Sequence, residues 1–464
     1  MKAFVLRLWL LACAVLLAAC GGGGDSTTVT VTGAGLNSLG LSPAVSTSFA
    51  QTSNNLRVTV EDGPHSFQLT ANANVLYATV TVCVPGGNPA LASDCQTIDH
   101  VQVDTGSVGL RVLASKVASL NLPKVQLSNA PVQEAWECYP FVIGGLWGAN
   151  AVADIYLGQQ RAPAVPMQLI QDSTSGPQPT VDCDNAADGH ILSSAATLGS
   201  NGILGIGSTT LDCGLNCVLG NYSGSFVQYY SCPQGATSSG ACSPTAVAAN
   251  LQTFNPVAAL PAGFNNGVVL KMPALPPSQL LGAATASGEL ILGIDSQANN
   301  QRPVDAVQVF LGVDPVHNLA SYLNINTLYR SQNYAGSYLD TGTNGMFFTD
   351  TGIPKCAGAD WYCPTSVINT TATLSDGDLP GRNAVAVGLQ IANAEALFNT
   401  RNTAFSNVAG SPPLKPPATP GGPAVVDTST FAWGMPFFYG KAVYLSIWQQ
   451  AGSLNGPWYA WKAL

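Results

Sequence analysis

Two ten-residue stretches decide how this chain folds: VQVDTGSVGL at 101–110 and SYLDTGTNGM at 337–346. Each begins as an alternating apolar run, reaches Asp-Thr-Gly, and continues with a hydroxyl residue, Ser107 or Thr343. Each then passes through a glycine into a second apolar stretch, VGLRVLAS in the first and NGMFFT in the second. A single Asp-Thr-Gly is an ordinary tight turn with a satisfied aspartate. A repeat placed 236 residues later, in the same strand–turn–strand context, asks for a shared reason.

Paired carboxylates supply that reason. Two aspartates within hydrogen-bond distance resist double ionisation, so they hold one proton and titrate as a unit. The ionised partner can draw a proton from a water, while the protonated partner can bond a carbonyl oxygen and later supply a proton to a leaving nitrogen. Glycine permits the close backbone approach such a pair needs. The hydroxyls can brace the turns and fix the carboxylate planes.

The rest of the chain has the grain of a secreted β protein. Of 464 residues, 9% are charged, and glycine and proline number 48 and 31. The formal charge of −9 excludes a phosphate-neutralising surface, so nucleic acid is not an expected partner. With few paired carboxylates to lose in acid, acid tolerance is expected. Short alternating runs recur, as in LRVTV at 56–60, NVLYATVTV at 74–82, ADIYLGQ at 153–159, NGVVLKM at 266–272, AVQVFLGV at 306–313 and KAVYLSIW at 441–448. Their period of two predicts strands with one buried face. Helical spacing is confined to 112–119 and 389–399, and the expected class is all-β with few short helices. Residues 208–262 and a Pro/Gly-rich stretch at 408–424 read as surface insertions.

The first twenty residues, MKAFVLRLWLLACAVLLAAC, have a basic start, an apolar run and small residues before Cys20. That pattern predicts an export signal at 1–20. Leu17-Ala18-Ala19-Cys20 resembles a bacterial lipobox, which implies lipid on Cys20 and membrane attachment. The plainer reading is a signal peptide with an incidental cysteine, or an uncleaved anchor. Gly21 follows where an aspartate would imply inner-membrane retention, so the resemblance implies the outer membrane, facing periplasm or surface. A flexible tether and lead-in strand are expected over 21–72. No other stretch is long and apolar enough to span a bilayer as a helix.

Of the 12 cysteines, Cys13 leaves with the signal and Cys20 takes lipid. The remaining ten suit disulfides in an exported protein. Near neighbours give Cys83–Cys95, Cys213–Cys217, Cys232–Cys242 and Cys356–Cys363, leaving Cys138 and Cys183 for each other. Structural zinc is the competing use, but the chain has no CxxC pair, and His65, His100, His190 and His317 are scattered. No metal or cofactor is expected.

The chain resembles the pepsin-type aspartic proteases, on more than the two turns. NGILGIG at 201–207 is similar to the element that closes the first lobe's active-site loop, and FAWGMPFFYGKAVYLSI at 431–447 to its second-lobe counterpart. GELILGIDS at 288–296 resembles the strand leading out of the N-terminal lobe, and SYLNINTLYR at 321–330 the strand region before the second turn. The resemblance covers roughly 75–450 and the blocks keep the family's order. It implies a bilobal double β-barrel, with an N-terminal lobe at 73–297 and a C-terminal lobe at 298–464. It also implies catalysis by Asp104 and Asp340, supported by Thr105, Gly106, Ser107, Thr341, Gly342 and Thr343. A flap hairpin is expected within AWECYPFVIGGLWGANAVADIYLGQ at 135–159, with Tyr139 or Phe141 as the aromatic near its tip. Both also fit an ordinary core hairpin. The expected partner is a peptide or protein substrate, and the expected state a monomer.

The chain departs from that family at three places. Arg111 stands where a large aromatic is usual, WGMPF lacks the usual Gly-Asp step, and no basic pro-segment precedes the first lobe. Two other classes compete: a non-catalytic peptide- or polymer-binding lipoprotein on the same fold, and an unrelated β-sandwich with coincidental turns. The first would bind without turnover, and the second would hold the two turns far apart. No G-x-S-x-G elbow, H-E-x-x-H or phosphate loop supports another catalytic system. A two-carboxylate glycosidase has no need of the repeated turn.

Overall fold

The computed structural model describes residues 44–464 apart from 48, 65–72, 130, 187–189, 221–226, 276–280, 313–322, 414–425 and 449–456. The export signal, Cys20 and most of the expected tether lie outside the described residues.

Alternation translates into strands as the period-two runs require. Asn55–Val60 buries Leu56, Val58 and Val60 and exposes Arg57. Val385–Ile391 buries Val387, Leu389 and Ile391 and exposes the residues between them. The helix expected over 389–399 therefore begins as strand: burying every second side chain fixes the backbone extended as far as Ile391. A helix follows only at Ala394–Phe398, where the Asn393 side chain caps the Ala396 amide. Over 112–119 the strand Val108–Leu113 runs on before a 3₁₀ turn at Ala114–Val117. The α-helices among the described residues are all short: Val181–Ala186, Ala195–Leu198, Leu215–Leu219 and Ala394–Phe398. The all-β class holds.

Strands gather into two sheets. The smaller is built within 325–433. The larger takes the strands before residue 311 and the two last strands of the chain. Lys441–Ser446 pairs antiparallel with Gly267–Met272, and Trp458–Ala463 with Val307–Phe310. The chain's end is thus stitched to strands from its middle, which ties the two halves together.

A three-strand arrangement occurs once in each half. In the first, Cys95–Asp104 runs parallel to Gly202–Ile206, with Asp104 opposite Gly205. Gly202–Ile206 also pairs antiparallel with Val108–Leu113, the strand that leaves the Asp104 turn. In the second, Gln332–Leu339 runs parallel to Ala432–Trp433, which pairs antiparallel with Met346–Phe347. Each Asp-Thr-Gly turn is therefore held between its own entering and leaving strands by a third strand inserted much later in sequence. Gly205 and Gly434 lie where the strands approach too closely for a side chain. A Cβ on Gly205 would lie 2.7 Å from the Val108 backbone, and one on Gly434 would lie 2.1 Å from the Gly345 carbonyl oxygen.

Val103, Leu110, Val112, Leu204, Leu339 and Trp433 line these arrangements and are buried in one continuous apolar core. Each such side chain contributes about 1.5–3 kcal/mol by leaving water. Five disulfides join Cys83–Cys95, Cys138–Cys183, Cys213–Cys217, Cys232–Cys242 and Cys356–Cys363. Four are the pairs that near-neighbour spacing gives, and Cys138–Cys183 is the pair left over.

Candidate active site

The two turns meet face to face. A Cβ on Gly106 would lie 2.7 Å from Asp340 Cγ, and one on Gly342 would lie 2.6 Å from Asp104 Oδ1. Each glycine thus lies against the carboxylate of the opposite turn, at a spacing no larger residue allows. Behind them the threonines interlock. The Thr105 amide donates to Thr341 Oγ1 at 3.2 Å, and the Thr341 amide to Thr105 Oγ1 at 3.0 Å. The hydroxyls donate onward, Thr341 to Val103 O at 2.7 Å and Thr105 to Leu339 O at 3.3 Å. Gln102 adds a bond to Gly342 O at 3.3 Å.

Each carboxylate accepts from the glycine amide and from the hydroxyl of its own turn. Asp104 Oδ1 accepts from the Gly106 and Ser107 amides at 2.8 and 3.2 Å, and Oδ2 from the Ser107 hydroxyl at 2.5 Å. Asp340 Oδ1 accepts from the Gly342 amide at 2.7 Å, and Oδ2 from the Thr343 hydroxyl at 2.5 Å. Charge-assisted bonds of this kind fix the carboxylate planes. Asp104 is 5% exposed and Asp340 8%, so both are largely desolvated without being sealed from the surface. Burial first, then the charge of Asp104 and a hydrogen bond with it, holds the Asp340 carboxyl well above the usual carboxylate range. A raised carboxyl beside a second carboxylate suits a pair that holds one proton between them.

The expected flap region is a hairpin of Val132–Phe141 and Gly144–Leu157. Val142 and Ile143 form its tip and are 78% and 67% exposed. Tyr139 lies three positions before Val142. Its ring stacks on the Arg111 guanidinium, with Cζ 3.8 Å from the centroid, and against Phe141 at 5.0 Å. Burial pushes the Tyr139 phenol up, Arg111 opposes this, and Asp212, Asp104 and Glu137 add to it. Tyr139 and Phe141 also pack on a cluster with Leu113, Leu146 and Leu192.

Some neighbours of the site carry no local sequence signal. Gln102, Glu137 and Asp212 gain their meaning only from partners far along the chain. An acid inside the otherwise apolar strand at 135–141 was the one available pointer to Glu137. No group of metal-ligating side chains occurs among the described residues.

Each half of this all-β protein presents one Asp-Thr-Gly turn across the interlocked threonine pair. The chain belongs to the family described as "Protein of unknown function (DUF3443)", which it matches over residues 50–461. No curated protein matches it. Among solved structures it is similar to the crystal structure of aspartic proteinase from Irpex lacteus, at 13% identity and a TM-score of 0.44. That alignment covers 88% of this chain and 96% of the other.

Proposed function

We propose that this protein is an aspartic endopeptidase in which Asp104 and Asp340 activate one water for attack on a peptide bond. The observation that carries this reading is the mutual arrangement of the two turns. Each aspartate lies against the other turn's glycine, and the threonines behind them lock the spacing.

The protons balance as follows. With one proton shared by Asp340 and Asp104, the unprotonated carboxylate takes a proton from the water as the water oxygen bonds to the scissile carbonyl carbon. The shared proton bonds the carbonyl oxygen and stabilises the charge that develops there. When the C–N bond breaks, the leaving nitrogen takes a proton from the pair, which returns to its one-proton state. The hairpin 132–157 covers the bound substrate chain. The protein acts as a monomer, one aspartate coming from each half.

We further propose that Cys20 carries lipid and tethers the enzyme to the bacterial outer membrane. The Leu17-Ala18-Ala19-Cys20-Gly21 sequence and the disulfide pairing of all ten later cysteines support export and anchoring. A peptide library digested across acid and neutral pH tests the activity. Cleavage lost in Asp104→Asn and in Asp340→Asn is expected. Binding of peptides without cleavage in the native protein favours the non-catalytic alternative. Metabolic labelling with palmitate, lost in Cys20→Ser, tests the anchor.

A further inference from the structure

A second pair of buried acids lies beside the first turn. Arg111 sits on the strand leaving that turn and is fully buried. Its Nη2 donates to Glu137 Oε1 at 2.7 Å and to Asp212 Oδ2 at 3.0 Å. Gln228 Nε2 bridges the same two oxygens, at 3.3 and 2.7 Å. Glu137 Oε2 accepts from Thr253 Oγ1 at 2.6 Å and Asn150 Nδ2 at 3.2 Å. The Tyr229 hydroxyl donates to Asp212 Oδ1 at 3.0 Å. The cluster thus joins the leaving strand, the hairpin and the 208–262 insertion.

Its charges do not cancel by themselves. One buried guanidinium faces two buried carboxylates, so the cluster is neutral only when the acids keep one proton. Burial, then the charge of Glu137 and a hydrogen bond with it, holds Asp212 well above the usual range. For Glu137, burial opposes ionisation, but the Arg111 charge and hydrogen bonds from Asp212 and Thr253 prevail and keep its pKa low. Glu137 and Tyr139 are two residues apart on one strand and so share a face. The guanidinium that bonds Glu137 also stacks on Tyr139.

We propose that Arg111, Glu137 and Asp212 form a proton-holding latch that keeps the hairpin seated against the Asp104 turn, making them positioning residues for the reaction proposed above. The titratable groups around it are Tyr139 on the hairpin, Tyr229 on the strand Tyr229–Pro233 and, acting on Tyr139, Asp104. In acid the latch is neutral and closed. As pH rises through the raised Asp212 value, the proton leaves and an uncompensated negative charge stays buried under the hairpin. The folded protein binds this proton more tightly than the unfolded chain, so the latch contributes fully in acid and fades with rising pH. The hairpin then loosens, and substrate affinity falls before the chemical step does.

The role of the latch in turnover rests on the endopeptidase reading, but its existence does not. Hydrogen exchange over residues 132–148, corrected for intrinsic rates and followed against pH, reads it without any substrate. Protection in the native protein is expected to break and then fall by about tenfold per pH unit, the slope of one released proton. Asp212→Asn and Glu137→Gln are expected to remove the break, and Asp104→Asn to keep it. KM for a cleaved peptide is expected to rise through the same break with kcat unchanged. No break in the native protein, or a break that survives in Asp212→Asn, would overturn the latch. A break in exchange with constant KM would overturn its positioning role. Should both latch variants fail to fold, the native exchange profile alone decides. A protein without peptidase activity that still shows the break would refute the endopeptidase reading and leave the latch standing.

Discussion

The backbone amide of Thr105 and the hydroxyl of Thr341 meet at 3.2 Å, and the reverse bond, from the Thr341 amide to the Thr105 hydroxyl, closes at 3.0 Å. These residues are 236 positions apart, yet each completes the other's turn. The reciprocity sets the spacing of the two aspartates, because each threonine directly follows one of them.

Removing one of these hydroxyls while keeping its shape should therefore be costly. Thr341→Val leaves the Thr105 amide and the Val103 carbonyl without their buried partner. Each orphaned group costs about 1–3 kcal/mol. Chemical denaturation should show a loss of that order, and peptidase activity should fall further as the carboxylates lose their fixed spacing.

Gly106→Ala tests that spacing from the other side. The new methyl would lie 2.7 Å from Asp340 Cγ, so the carboxylate must move. Displacing a reacting group by about 1 Å costs on the order of 10²-fold in rate. Kinetics should show that loss while circular dichroism keeps the native fold. Full activity in this variant would separate the two turns.

The pH dependence of stability follows from the raised Asp340 carboxyl. Folded protein holds that proton more tightly than unfolded chain. The contribution is thus complete at pH below the unfolded value and is lost as pH rises through the folded one. Asp340→Asn needs no proton and should lose less stability on going from acid to neutral pH than the native protein. Urea titrations of both proteins at several pH values measure the difference, which excludes the parallel contribution of Asp212 because both proteins retain it.

The Cys138–Cys183 disulfide joins the hairpin to the segment at 181–186 across 45 residues. Closing a loop of that length contributes about 4 kcal/mol in the chain-entropy view. The double alanine variant should unfold at correspondingly lower denaturant concentration. Exchange in the hairpin should rise more than exchange in the strand Gly267–Met272, which the disulfide does not touch.

Much of this architecture is written locally. Alternation at 56–60 and 266–272 specifies strands whatever the rest of the chain does, and the repeated Asp-Thr-Gly with its hydroxyl names both aspartates. Alternation also explains the misread helix at 389–399, where Ala and Leu spacing competed with the buried set Val387, Leu389 and Ile391. Other parts are not local. Arg111 stood out only as an unexpected cation, because its meaning depends on Glu137, 26 residues later, and Asp212, 101 residues later. Gln102 bonds a carbonyl 240 residues away. No period or motif encodes such contacts, which arise only when the sheets bring the halves together.

The most direct test of the account compares kcat/KM for the native protein, Asp104→Asn, Asp340→Asn and the double variant on one cleaved peptide. Two acids sharing one proton and one water act as a unit, so each single change should cost about 10⁴-fold. The double variant should lose little more than either single. Native turnover that survives in either single variant, or losses that multiply in the double, would contradict it.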